Sequence, residues 1–185
     1  MRKIDKQKLS LVNEAIIKLS AQGNLVDLSM GKIAKEAGVS PSTLYIYYDN
    51  KKEMLSEIYM LAKTALDKNV AEALESQTDG FMKLQTAMRQ FSKNVRDSPE
   101  KLLFLLAMQG NLSLLNQTAQ DFSTSATKRV LAVCHDLITR GQAKPLSDEI
   151  LAAVLTSALF QVLAAQLDKS AVDSVISVTL DGLKI

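Results

Sequence analysis

The segment from Ser29 to Glu53, SMGKIAKEAGVSPSTLYIYYDNKKE, constrains the fold more than any other, because it packs three helix starts and the turns between them into 25 residues. Met30, Ile33, Ala34 and Ala37 recur at the i, i+3, i+4, i+7 spacing of one helix face. Gly38 then stops that helix, since a chain leaving a helix into a tight turn needs positive φ, which glycine adopts without a Cβ clash. Ser40-Pro41 starts the next helix, with a serine oxygen to cap backbone N–H groups and a proline at the first helical position. Ala34, one turn before Gly38, is small enough to let two steeply angled helices cross closely.

The second helix is predicted over Pro41–Tyr48, burying Leu44 and Tyr48 and leaving Ser42, Thr43, Ile46 and Tyr47 on other faces. Of the four tyrosines in the chain, Tyr45, Tyr47 and Tyr48 fall in this one turn. Asn50-Lys51-Lys52-Glu53 has the form of a capping box with Asn in the Ser/Thr role, so a third helix starts at Lys51 with its lysines near the preceding one. On a generic helix such a face would be solvated polar surface with half-packed tyrosines. The surrounding turn, caps and lysines point instead to a surface built to meet a partner, with lysines in reach of phosphate.

The run AGVSPSTLYIYYDNKKEML resembles the signature of the TetR family of transcriptional regulators, and the likeness extends back through GNLVDLSMGKIAKEAG to cover roughly residues 6–60. The resemblance implies that Ser40, Ser42 and Thr43 meet bases or phosphates of double-stranded DNA, that Tyr45 and Tyr47 contact backbone or bases, and that Lys51 holds a phosphate. Ser29, opening the first motif helix, is a further candidate because helix N-termini present free N–H groups to phosphate. Asp49 stands where the family commonly has a basic residue, and would repel phosphate at that end. Function on this reading is that of a repressor, released from a palindromic operator by a small, largely apolar ligand. It would be cytoplasmic and would need no cofactor.

Charge adds little to this. Twenty-two Lys and Arg face 20 Asp and Glu, a net charge of +2, so no global basic field advertises nucleic acid. Residues 1–53 carry nine basic and six acidic side chains, which allows a few localised phosphate contacts. For Arg2, Lys3, Lys6 and Lys8 two readings stay open, a DNA-backbone arm and a merely solvated terminus. The single cysteine, Cys134, excludes an internal disulfide framework and a multi-cysteine metal site. The charged start lacks the apolar run of a signal peptide. The apolar stretch Ile150–Leu167 carries Thr156, Ser157, Gln161 and Gln166, which suits a buried or interface helix rather than a membrane span.

No window shows sustained strand alternation, and the expected fold is all-α with about nine helices. A three-helix DNA-binding head over residues 1–50 precedes a ligand-binding and dimerisation bundle over 51–185. The first helix is expected from Lys6 to Ala21, ended by Gly23-Asn24, on the stripe Leu9, Val12, Ile16 and Leu19. The fourth runs from Lys51 towards Leu74 as a strut, broken at Gln77–Gly80. Phe81, Leu84, Met88, Phe91 and Val95 mark the fifth. The sixth, Pro99–Gln109, is apolar nearly all round and is expected in the middle of the second domain. The seventh spans 116–140 and ends at Gly141. The eighth is capped by Ser147, and the ninth by Ser170 with Asp173, ending near Leu183.

The chemistry of the second domain is less explicit. Cys134 and His135 are adjacent, but neighbours on a helix point about 100° apart, so they form no nucleophile–base dyad by themselves. No phosphate loop, metal cluster or nucleophile elbow is present, which weighs against a small all-helical enzyme and for the DNA-binding regulator. Met88, Phe91, Phe104, Met108 and Phe122 read as core by pattern, and as an effector pocket among helices five to eight only through the family resemblance. The eighth helix is apolar over most of its circumference, with Ala152, Ala153, Ala158, Ala164 and Ala165 permitting close approach. A homodimer through the eighth and ninth helices is therefore expected.

Overall fold

The computed structural model describes residues 6–21, 28–123 and 125–185. The expected basic arm at Arg2 and Lys3 and the Gly23-Asn24 stop lie outside the described residues. Eleven α-helices and one 3-10 turn account for the described chain, and it contains no strand. They are α1 (Lys6–Ala21), α2 (Met30–Glu36), α3 (Pro41–Tyr47), α4 (Lys51–Leu66), α5 (Val70–Glu75), α6 (Gly80–Asp97), α7 (Pro99–Gln109), the 3-10 turn Leu112–Leu114, α8 (Gln117–Ser123), α9 (Ser125–Thr139), α10 (Asp148–Ala164) and α11 (Lys169–Leu183). The fold is all-α, as the pattern predicts.

Two expected helices are each divided. The fourth was expected to continue to Leu74, but α4 ends at Leu66 and the chain turns through Asn69, which sits at φ 59, before α5 begins. The side-chain amide of Asn94 on α6 donates to the carbonyls of both Leu66 and Lys68 at 2.8 Å, meeting the acceptors that the break leaves open. The helix expected over 116–140 is α8 followed by α9. The ninth expected helix starts earlier than Ser170: Asp168 is the cap, its carboxylate accepting from the Ala171 N–H at 2.8 Å. Asp173, expected to complete a capping box, instead accepts from Arg89 Nε at 2.9 Å. Ser147 does occupy the N-cap of α10, without a side-chain capping bond.

The chain forms two compact units, Met1–Lys63 with Glu100–Ser123, and Thr64–Pro99 with Thr124–Ile185. These are drawn differently from a boundary at residue 50, because α7 and α8 are counted with the head. Phe104, Met108, Leu115 and Ala119 are fully buried in one cluster with Val12, Ile16, Ile33, Leu44, Met54, Leu55 and Ile58. Burying side chains such as Phe104 and Met108 completely is worth about 2 to 3 kcal/mol each. Thus α7, expected at the centre of the second domain, contributes Phe104 and Met108 to the core of the first unit.

In the second unit Leu84, Ala87, Met88 and Val95 of α6 are buried, as are Cys134 and Leu137 of α9, and α10 and α11 complete its core. Gly80 does more than end a linker: a Cβ there would stand 2.7 Å from Leu137 Cδ2, so any larger residue would force the Leu137 side chain of α9 to shift. The buried residues of α10 are Leu151, Leu155, Leu159 and Leu163, one i, i+4 row. Ile150 remains 50% exposed and Val154 37%, and on α11 Val178 is 73% exposed.

Candidate nucleic-acid interface

The candidate site is built on α2, α3 and the start of α4. Ser29 opens α2 in extended conformation, and its Oγ accepts from the Lys32 N–H at 3.2 Å. Ile33 and Ala34 are buried beneath, and Ala37 forms the C-cap. Gly38 adopts φ +66, as the turn demands, and the Val39 N–H returns to the Ala34 carbonyl at 2.9 Å. Outside this turn, Lys18 of α1 is paired with Glu36 at 2.6 Å.

Ser40 caps α3. Its Oγ accepts from the Thr43 N–H at 3.2 Å and lies 2.8 Å from the hydroxyls of both Ser42 and Thr43. A hydroxyl has one proton and two lone pairs, so these three oxygens hold one another in fixed orientation around the first turn. Leu44 is fully buried and Tyr48, the C-cap of α3, is nearly so. The Tyr48 hydroxyl donates to Asn13 Oδ1 at 3.2 Å, and burial, followed by the charge of Glu57, raises its pKa, keeping it a protonated donor. Both residues serve packing, as expected. Ser42, Tyr45 and Ile46 are exposed, whereas Thr43 and Tyr47 are half-buried.

The third helix starts as the capping box predicts, with Asn50 Oδ1 accepting from the Glu53 N–H at 3.0 Å. Glu53 does not complete the box symmetrically, because its carboxylate accepts from Asn116 Nδ2 at 2.7 Å. Lys51 is half-buried at the head of α4, with Lys52 exposed beside it. Asp49, Glu53 and Glu57 line a cavity of about 470 Å³ together with Tyr47, Tyr48, Met60 and Asn116. Its three carboxylates repel phosphate, so the position where Asp49 departs from the family pattern belongs to an acidic wall. The structure thus brings Ser29, Ser40, Ser42, Thr43, Tyr45, Tyr47 and Lys51 onto three consecutive helices of one unit.

Residues 14–58, which take in α2, α3 and the first half of α4, match the family model described as bacterial regulatory proteins, tetR family. The likeness to that family is carried by this head. It is 35% identical over 81 residues to an uncharacterized HTH-type transcriptional regulator of Mycobacterium tuberculosis, a match covering 43% of this chain and 35% of that relative. The chain therefore matches only about a third of that relative's own length. Over the whole chain, the fold is similar to that of a TetR family transcription regulator from Marinobacter aquaeolei VT8, with TM-score 0.84, 19% identity and coverage of 100% and 99% of the two chains. A second structural neighbour is the transcriptional regulator FadR from Bacillus subtilis in complex with stearoyl-CoA, with TM-score 0.74, 17% identity and coverage of 95% and 99%.

The five residues considered for an effector pocket divide between the two units. Phe104 and Met108 are fully buried in the cluster shared with the head, and Phe122 is half-buried on α8 of the same unit. Met88 is buried in the second unit, where Phe91 stacks on Phe160 with ring centroids 5.5 Å apart. His135 does not engage Cys134; its Nε2 lies 2.7 Å from Asp148 Oδ1. Burial, with the charge of Asp148 second, pushes the Cys134 thiol up to about 11, which leaves it an inert core residue. Asn116 was not foreseen. Its side chain caps α8 through Oδ1, accepting from the Ala119 N–H at 3.0 Å, and its backbone N–H donates to Ser56 at 2.8 Å. An isolated Asn before a helix was the only sequence signal for it.

Proposed function

We propose that this chain is a sequence-specific, DNA-binding transcriptional regulator of the TetR family that acts as a homodimeric repressor on a palindromic operator. The observation that carries the reading is the exposed face of α3, held against α2 by the Gly38 turn and followed directly by the lysines of α4. Ser40, Ser42 and Thr43 meet bases or phosphates, Tyr45 and Tyr47 contact bases or backbone, and Lys51 holds a phosphate. Ser29 is the corresponding contact at the start of α2. Dimerisation through α10 and α11 is supported by the apolar surface left exposed at Ile150, Val154 and Val178. Two copies related by a two-fold axis would present their α3 helices to half-sites one helical turn, roughly 34 Å, apart or a multiple of it.

Release by a small, largely apolar effector completes the proposal. It is supported by the neighbour holding stearoyl-CoA, and by Phe104 and Met108 sharing one core with the head, so that a ligand disturbing them perturbs the reading helices directly. Among the described residues no helix is long and apolar enough to cross a membrane, and a regulator of this kind works beside the chromosome, in the cytoplasm. The deciding experiment is enrichment of duplexes from a random pool by the full-length protein, followed by anisotropy at several salt concentrations. Recovery of a palindromic sequence bound with steep salt dependence supports the reading. Failure to enrich any sequence, with equal weak affinity for all duplexes, defeats it.

A further inference from the structure

Helix α3 reads PSTLYIY and so contains no Arg, Lys, Asn, Gln, Asp or Glu. Those are the side chains that form charged or bidentate hydrogen bonds with guanine, adenine or cytosine edges in the major groove. Leu44 faces the core, leaving Pro41, Ser42, Tyr45 and Ile46 exposed. Ser42, Tyr45 and Ile46 lie at i, i+3 and i+4 and therefore share one face. The Ser42 hydroxyl already stands 2.8 Å from Ser40 Oγ, so part of its hydrogen-bonding capacity is spent within the cap. The largest uncommitted groups on the face are the Tyr45 ring, 58% exposed, and the branched side chain of Ile46, 54% exposed.

A single exposed aliphatic residue is ordinary on a protein surface. Ile46 is singled out by its setting, on the candidate reading face of a helix with no charged or amide side chain. In the major groove the apolar feature of a base edge is the C5-methyl group of thymine, and aliphatic side chains are its complement. We infer that Ile46, flanked by Tyr45, is a specificity-determining residue that selects thymine by burying its methyl group, so that the operator half-site carries an A·T pair under the C-terminal half of α3. This rests on the proposed DNA-binding function and adds to it the chemistry of the discriminating contact.

The test uses the full-length protein and the duplex it enriches from a random pool. Each thymine of a half-site is replaced in turn by deoxyuridine, which removes only the methyl group. One or two positions should lose affinity about fourfold, the effect of leaving one buried methyl-sized group unburied. At one of these positions the penalty should vanish in Ile46→Ala, yet persist in Lys51→Ala, which weakens binding without touching bases. Ile46→Ala should keep the thermal midpoint of the native protein, since the side chain is exposed. If every deoxyuridine substitution is silent, or if the penalty is the same in Ile46→Ala as in the native protein, the assignment of Ile46 is overturned while DNA binding stands. Failure to enrich any duplex overturns both.

Discussion

The side chain of Asn116, at the entrance to α8, donates to the Glu53 carboxylate at 2.7 Å while its backbone N–H donates to Ser56 Oγ at 2.8 Å. Ser56 is fully buried and passes its own proton to the Lys52 carbonyl at 2.7 Å. This chain of bonds fastens the start of α8 to the first two turns of α4, the helix that Lys51 opens. Ser56→Ala leaves the Asn116 N–H without its acceptor and should cost about 1 to 3 kcal/mol. Asn116→Ala removes the cap and the Glu53 contact and should cost about 1 to 2 kcal/mol. Glu53→Gln keeps an acceptor oxygen and should cost less than either. Urea midpoints measure all three, and an unchanged midpoint for Ser56→Ala would show that the bond contributes nothing.

Positioning and reading should separate within the head. Lys51→Ala should weaken binding by a similar factor on every duplex and reduce the slope of log affinity against log salt by roughly one unit. Thr43→Ala should instead change base preference, by on the order of 1 to 3 kcal/mol at the pair it meets. Anisotropy over a salt series with matched and mismatched duplexes distinguishes them, and a Lys51→Ala protein with native slope would remove Lys51 from the phosphate contacts.

The homodimer should depend on the outer face of α10. Val154 is 37% exposed, one turn beyond Ile150, while the leucine row at Leu151 and Leu155 faces inward. Val154→Glu should therefore leave the fold intact, convert the dimer to monomer in sedimentation velocity, and weaken operator binding by at least tenfold through loss of the second reading head. A native protein that sediments as a monomer at micromolar concentration, alone and on DNA, would end the proposal.

Alkaline stability should carry the mark of Cys134. Its thiol, ordinarily near 9.0, is pushed up to about 11 in the fold. Between those values the unfolded chain sheds the proton first and the native chain keeps it, so the contribution is fully present below about pH 9 and declines as pH rises to 11. The loss across this window should reach about 1 to 3 kcal/mol. Denaturation of Cys134→Ala should fall less steeply from pH 9 to 11 than that of the native protein. Parallel declines would mean that the thiol does not couple to folding.

What the chain determines by itself is the local grammar of the head. Gly38 at φ +66, Ser40 capping Thr43 ahead of Pro41, and Asn50 capping Glu53 are each settled by groups no more than a few residues apart, so spacing suffices to predict them. Tertiary structure decided the rest. The break after Leu66 depends on Asn94, whose amide reaches its carbonyl from 28 residues away, and the fate of Asp173 depends on Arg89, 84 residues away. The membership of α7 was equally hidden. A helix apolar nearly all round can fill any core, and its pattern does not say whether Phe104 and Met108 will meet the bundle or the head. Hydrophobic burial is non-directional, so only the shape complementarity of segments distant in sequence chose the partner.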